Sequence, residues 1–119
     1  MLYLGADHRG FQLKEEIKKF LAEKNYQFED MGNFVYDPND DYADFAKLVA
    51  EKVSEKPEER KGILICGSGV GVDITANKFH GVRSALADDI ATAKQSREHD
   101  DTNVLSLPAD EVDFELAKK

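Results

Sequence analysis

The chain has 119 residues, 41% of them apolar and 34% charged, which fits one globular domain with a single core and excludes a disordered tract. A net charge of −8 excludes nucleic acid as a partner, because phosphate backbones would be repelled, and no apolar run has the length to span a bilayer. The lone cysteine, Cys66, cannot form an internal disulfide, and Met1 to Asp7 lacks a basic-then-apolar signal pattern, so a reducing cytoplasm is the expected setting.

Leu2 to Ala6 is the first predicted strand, closed by Asp7-His8. From about Gly10 to Lys24, Leu13, Ile17, Phe20 and Leu21 recur on one face with lysines and glutamates opposite, the pattern of an amphipathic helix. Tyr26 to Met31 alternates weakly and predicts a second strand. Gly32 to Asp41, with its Gly, Pro, Asn and Asp residues, predicts a loop. A second helix is expected from Tyr42 to about Glu55, with Tyr42, Phe45, Ala46, Val49 and Val53 as its buried stripe, and Pro57 stops it. Gly62 to Cys66 is apolar throughout, as a central parallel strand covered on both faces would be. A glycine-rich turn follows and opens into a helix over Val72 to Lys78. Val82 to Ala87 predicts a fourth strand, Asp88 to Glu98 a helix packing through Ile90, Ala91 and Ala93, Val104 to Leu107 a fifth strand, and Asp110 to Lys119 the start of a last helix. Strands alternating with helices of this length imply right-handed crossovers. The expected fold is a single three-layer, doubly wound (Rossmann-like) α/β domain over residues 1–119, with a parallel sheet of about five strands.

The run Ile63-Leu64-Ile65-Cys66-Gly67-Ser68-Gly69-Val70-Gly71 carries the chemistry. A strand-turn-helix junction points several backbone N–H groups and the positive end of a helix dipole at one small volume. A thiol at the lip of that volume is a proton-transferring group beside an anion-stabilising nest, an arrangement suited to chemistry on an oxyanion. The plain alternatives remain: a lone strand-end cysteine is often a small buried hydrophobe, and the glycines alone could form a tight turn. Gly67-x-Gly69-x-Gly71 lacks the G-x-G-x-x-G spacing of a dinucleotide site, and no Lys-Ser or Lys-Thr pair follows as in a Walker loop. Three histidines without paired spacing argue against a transition metal, and His80 reads as a surface turn residue. Asp37, Asn39 and Asp41 mimic a calcium loop, but Tyr42 stands at its turn glycine and Leu48 at its closing glutamate.

Ligands of doubly wound sheets sit beyond the carboxyl ends of the strands, where Asp7, His8 and Cys66 fall. Asp7 could equally cap the following helix through a backbone N–H. His99 follows a helix running antiparallel to the strands and should emerge near their amino ends. If His99 and Cys66 serve one site, a second copy of the chain must complete it.

Taken together, these residues resemble the ribose-5-phosphate isomerase B family, which includes the galactose-6-phosphate isomerase subunits. The likeness runs through Gly5-Ala6-Asp7-His8-Arg9-Gly10-Phe11, Leu13-Lys14, Asp41-Tyr42-Ala43-Asp44-Phe45-Ala46 and Gly62 to Gly71. It continues in Ala76-Asn77-Lys78, Gly81-Val82-Arg83-Ser84-Ala85-Leu86 and Ser96-Arg97-Glu98-His99. The resemblance implies interconversion of a phosphorylated aldose and ketose through an enediolate, without metal or cofactor, at sites shared between two subunits of a homodimer or dimer of dimers. Ribose 5-phosphate and ribulose 5-phosphate are the implied pair. A six-carbon substrate (allose or galactose 6-phosphate) and a catalytically impaired sugar-phosphate-binding subunit are the alternatives. By position, Cys66 is the implied base, and Ser68 with the amides of Gly67, Gly69, Val70 and Gly71 would hold the developing oxyanion. His99 of a second copy would assist ring opening with Asp100 beside it, Asp7 would bind hydroxyls, His8 would face the phosphate and Tyr42 would line the pocket. The chain departs from the family in reading Asp100-Asp101 after His99 where Asn-Asp is usual. It also reads Leu107-Pro108-Ala109-Asp110 where a phosphate-binding arginine is often found. Members continue into a long C-terminal helix with further arginines, so the expectation is either a domain truncated at its C-terminal side or a subfamily that holds its substrate differently. Arg9 and Arg83 are the candidate substitutes for the phosphate clamp, with Arg83 expected to be structural.

Overall fold

The structure, a computed structural model, describes residues 2–32, 42–87, 92, 95, 96 and 101–108. Five strands form one parallel sheet: β1 (Leu2–Ala6), β2 (Phe28–Asp30), β3 (Lys61–Cys66), β4 (Ser84–Leu86) and β5 (Val104–Pro108). Their spatial order is β2-β1-β3-β5-β4. The described helices are α1 (Phe11–Glu23), α2 (Tyr42–Glu55) and α3 (Val70–Asn77). Among the described residues no helix is long and apolar enough to cross a membrane. Of the predicted helix over Asp88 to Glu98 only Thr92, Gln95 and Ser96 are described, all three helical; the one over Asp110 to Lys119, and nearly all of the Gly32 to Asp41 loop, lie outside the described residues.

Alternation along the strands sorts two cores onto the two faces of the sheet. Tyr3, Leu64, Cys66 and Val104 face α2 and α3, where Ala46, Val49, Ala50, Val53, Val72 and Ala76 close over them. Leu4, Ala6, Ile65 and Leu107 face α1, whose Leu13, Ile17 and Leu21 cover them. The doubly wound, three-layer architecture expected from the sequence is therefore present. Ala50 joins the α2 stripe, while Phe45 is only half-buried.

Three predicted boundaries shift for local reasons. The second strand is three residues rather than six, because ending α1 consumes the residues before it. Asn25 turns left-handed at φ 62°, and the Tyr26 amide donates to Leu21 O at 3.0 Å. The fourth strand starts at Ser84 rather than Val82. The Val82 amide donates to Phe79 O at 3.2 Å, and the Arg83 amide to Asn103 Oδ1 at 2.8 Å, so both are spent in the turn. The third helix begins at Val70 rather than Val72, since left-handed Gly69 is its N-cap.

Lys14 is fully buried on α1 and donates to Asp30 Oδ2 at 2.6 Å, with Lys18 donating to the same oxygen at 2.8 Å. This cluster pins α1 to the edge strand β2. Burial works to raise the Asp30 carboxyl, but hydrogen bonds from Lys14, Lys18 and the Gly32 amide, with the charge of Lys14, hold it below its ordinary range. A depressed carboxyl contributes stability that is complete above its unfolded value, about pH 4, and is lost as pH falls through the lower folded value. Asp30→Asn, which leaves the Lys14 ammonium buried without its counter-ion, should cost about 3 kcal/mol in urea unfolding at pH 7. The variant should lose less further stability than the parent between pH 4 and pH 2.

Candidate active site at the strand switch point

From β1 the chain steps outward to β2, and from β3 it steps the other way, so the winding reverses between β1 and β3. A crevice opens where strand order reverses, outside the carboxyl ends of the two strands. The residues at that position are Ala6-Asp7-His8 after β1 and Cys66-Gly67-Ser68 after β3, joined where the Asp7 amide donates to Ile65 O at 3.4 Å.

The Cys66 sulfur lies on the α2/α3 face, 5% exposed, and accepts the Gly69 amide at 3.2 Å. The sulfhydryl therefore faces the glycine turn and is packed among the core side chains at the same time. Ser68 is exposed, and its Oγ accepts the Val70 amide at 3.2 Å. Of the amides expected around an oxyanion, those of Gly69 and Val70 are thus engaged within the turn. The Gly71 amide lies in the first turn of α3, where N–H groups have no partner within the helix.

Glycine is required twice in this turn. Gly69 has φ 78°, and a Cβ there would overlap Leu86 Cδ1 and come 3.1 Å from Pro108 N. At Gly67, a Cβ would overlap Cζ, Nε and Nη2 of Arg9. The turn is thus clasped by Leu86 and Pro108 on one side and the Arg9 guanidinium on the other. Asp7 does not cap α1 by its side chain: Oδ1 accepts the amides of Arg9 (3.0 Å) and Gly10 (3.2 Å), one step ahead of the helix. It fixes the turn that carries His8, half-buried, to the crevice edge.

The structure brings Asp7, His8, Cys66, Gly67, Ser68, Gly69, Val70 and Gly71 to this one edge. Tyr42 opens α2, but its side chain, like His99 and Asp100, lies outside the described residues. Arg83 sits at the opposite edge, with Nε on Asp101 O at 2.7 Å and Nη1 on Gly81 O at 3.1 Å, the structural placement expected for it. The packing of Arg9 and Leu86 on the glycine turn was not readable, since both come from other strands' ends. Among the described residues, no group of three His, Cys, Asp or Glu side chains could hold a metal ion.

The sequence matches the ribose/galactose isomerase family over residues 2–119. The chain belongs to this family. It is similar to a probable ribose-5-phosphate isomerase B of Mycoplasma genitalium, 46% identical over 106 residues that make up 89% of this chain and 70% of the relative. It is also similar to ribose-5-phosphate isomerase B of Escherichia coli, 44% identical over 96% of this chain and 75% of the other. The crystal structure of the Mycoplasma genitalium ribose-5-phosphate isomerase B with bound ribulose-5-phosphate superposes with a TM-score of 0.95. The match covers 98% of this chain and 77% of that one at 43% identity.

Because the sulfur and the left-handed turn depend on each other, Gly69→Ala should destabilise the protein by about 2 kcal/mol from backbone strain alone. It should also speed alkylation of Cys66, otherwise slow because the thiol is packed, as followed by mass spectrometry under native conditions.

Proposed function

We propose that this aldose–ketose isomerase interconverts ribose 5-phosphate and ribulose 5-phosphate, with Cys66 moving the proton. The carrying observation is the position of its sulfur, at the switch-point crevice and held by the Gly69 amide. In the proposed reaction the thiolate takes the C2 proton of the open-chain aldose. The electrons of that C–H bond form a C1–C2 double bond, and the carbonyl electrons move onto O1. The O2 proton then passes to O1, with Ser68 Oγ as relay. As C2–O2 becomes the ketone, the thiol returns its proton to C1. Nothing is oxidised or reduced outside the sugar, and one group serves both carbons, so the scheme draws on no metal or cofactor.

A hydrogen beside a carbonyl is too weak an acid for a thiolate to remove unaided. The enediolate must be met by donors fixed in place beforehand, and one such donor is typically worth about 3 kcal/mol. The amides of Gly67 and Gly71 are assigned to that role. Those of Gly69 and Val70 shape the turn in the free protein and reach the oxyanion only by exchanging their present acceptors. Asp7 is assigned to sugar hydroxyls, His8 to the phosphate and Tyr42 to the pocket wall.

Ring opening is assigned to His99 of a second copy, with Asp100 next to it. Support comes from the described residues flanking His99 in sequence. The Thr102 amide donates to Ser96 O at 3.2 Å, and both residues line a cavity with Leu2 and Lys61, the first residues of β1 and β3. That is the amino edge of the sheet, whereas Cys66 ends β3 at the carboxyl edge. In the proposed homodimer the amino edge of one copy would meet the carboxyl edge of the other.

Incubation with ribose 5-phosphate in deuterium oxide should yield ribulose 5-phosphate carrying solvent deuterium at C1. Cys66→Ala should lower kcat by roughly 10²- to 10⁴-fold, the share of a general acid–base group, with a fall in Tm of only a few degrees from the lost sulfur packing. A fully active variant removes cysteine from the mechanism. The matched family's name includes galactose, so kcat/KM for allose and galactose 6-phosphates measured alongside decides the chain length of the sugar. Thermal stabilisation by ribose 5-phosphate without turnover would instead mark an impaired binding subunit.

A further inference from the structure

An acidic chain whose substrate is an anionic sugar needs positive charge at the crevice, and the three described arginines are placed very differently. Arg60 lies before β3 at the amino edge, donating to Lys52 O and Glu55 Oε1, both at 2.9 Å, with its guanidinium 5.6 Å from the Tyr3 ring centroid. Arg83 is held at the same edge by Asp101 O and Gly81 O. Arg9 alone of the three follows a strand's carboxyl end, in the turn that Asp7 Oδ1 fixes. Its guanidinium fills the volume in which a side chain at Gly67 would stand.

We propose that Arg9 is a substrate-binding, specificity-determining residue of this chain, its guanidinium docked on Gly67 as the clamp for the anionic group of the sugar. This inference rests on the isomerase reading of the site. Three features support it. Arg9 is exposed, and because Gly67 follows Cys66 directly, the guanidinium laid on Gly67 borders the crevice from its solvent side. The Cys66 sulfur lies in the α2/α3-side core, while Gly10, next to Arg9, abuts Ile65 of the α1-side core, so Arg9 comes to Gly67 from the α1 side. A charge so placed flanks the reacting centre without touching the sulfur, so it acts on binding more than on proton transfer. Finally, a planar guanidinium packed against backbone is already oriented, and its fork of donors matches the geometry of a phosphate oxygen pair. Lysine, a flexible point charge, would not reproduce that geometry in full.

The test measures turnover of ribose 5-phosphate and of unphosphorylated ribose by the parent, Arg9→Met and Arg9→Lys, together with calorimetric binding of ribose 5-phosphate. Arg9→Met should raise KM for ribose 5-phosphate roughly 10- to 100-fold, the worth of a charge-assisted contact, with kcat changed by less than about threefold. The slow turnover of ribose should be equal in parent and variant, and Arg9→Lys should recover part of the lost affinity. An unchanged KM overturns the proposal. So does an equal loss for ribose and ribose 5-phosphate, which would make Arg9 a prop for the glycine turn. If the parent binds ribose 5-phosphate without converting it, the isomerase reading falls while the clamp stands or falls on calorimetry alone. Binding weakened in Arg9→Met upholds it, and equal or undetectable binding in both overturns it.

Discussion

The site depends on a packing constraint at the carboxyl end of β3. Between Cys66 and Val70 the chain must reverse from a central strand into a helix within three residues, and the space beside both of its glycines is occupied. Leu86 and Pro108 fill the space beside Gly69, the Arg9 guanidinium fills the space beside Gly67, and the Cys66 sulfur takes the Gly69 amide from below. No Cβ fits at either glycine, so the amides are held in one arrangement by close packing rather than by the turn's own preference. Of these donors, the Gly69 and Val70 amides are spent on Cys66 Sγ and Ser68 Oγ, so only amides without such acceptors could meet negative charge on a bound oxygen without reorganising.

The same constraint explains why the family-like blocks outside the crevice look as they do. Asn77 grips β4 at two backbone atoms, donating to Ser84 O at 3.1 Å and accepting the Ser84 amide at 2.7 Å. The Ser84 hydroxyl donates to Asp73 Oδ1 at 2.6 Å and pairs with Ser106 at 2.8 Å. These bonds tie the body of α3 to β4 and β5, which sets the helix whose first turn forms the nest. Arg83 and Asn103 close the turn before β4 from the amino edge. Ala76-Asn77-Lys78 and Gly81-Val82-Arg83-Ser84 are therefore scaffold for a site they do not touch.

Much of this was legible because it is local. The unbroken apolar run of β3, the spacing of Ala46, Val49 and Val53 on α2 and the glycines after Cys66 each point to one element, and α2 spans the residues its pattern predicts. Boundaries slipped where the deciding bond comes from outside the pattern, as with Asn25 at the end of α1 or Asn103 before β4. Lys14 shows the limit most clearly. On the helical pattern it sits with the charged residues, yet it is fully buried, because Asp30 on another element supplies its counter-ion. The Arg9–Gly67 contact is of the same kind: a long-range partner gives a residue its role, and no periodicity announces it.

The polar residues of the two sheet edges follow different rules. At the amino edge, Arg60, Arg83, Ser96, Thr102 and Asn103 spend donors on one another, on backbone carbonyls or on the carboxylates of Glu55 and Asp101. That edge is consolidated, and its charges cost little because each is compensated where it stands. At the carboxyl edge the groups that meet are backbone amides, a sulfur, a half-buried histidine, a guanidinium laid on a glycine and the Asp7 carboxylate, whose Oδ1 is spent on the Arg9 and Gly10 amides. A helix N-terminus and a cation are both stabilised by an incoming anion. A chain that is acidic overall thus gathers groups that attract an anion at the crevice where its winding reverses.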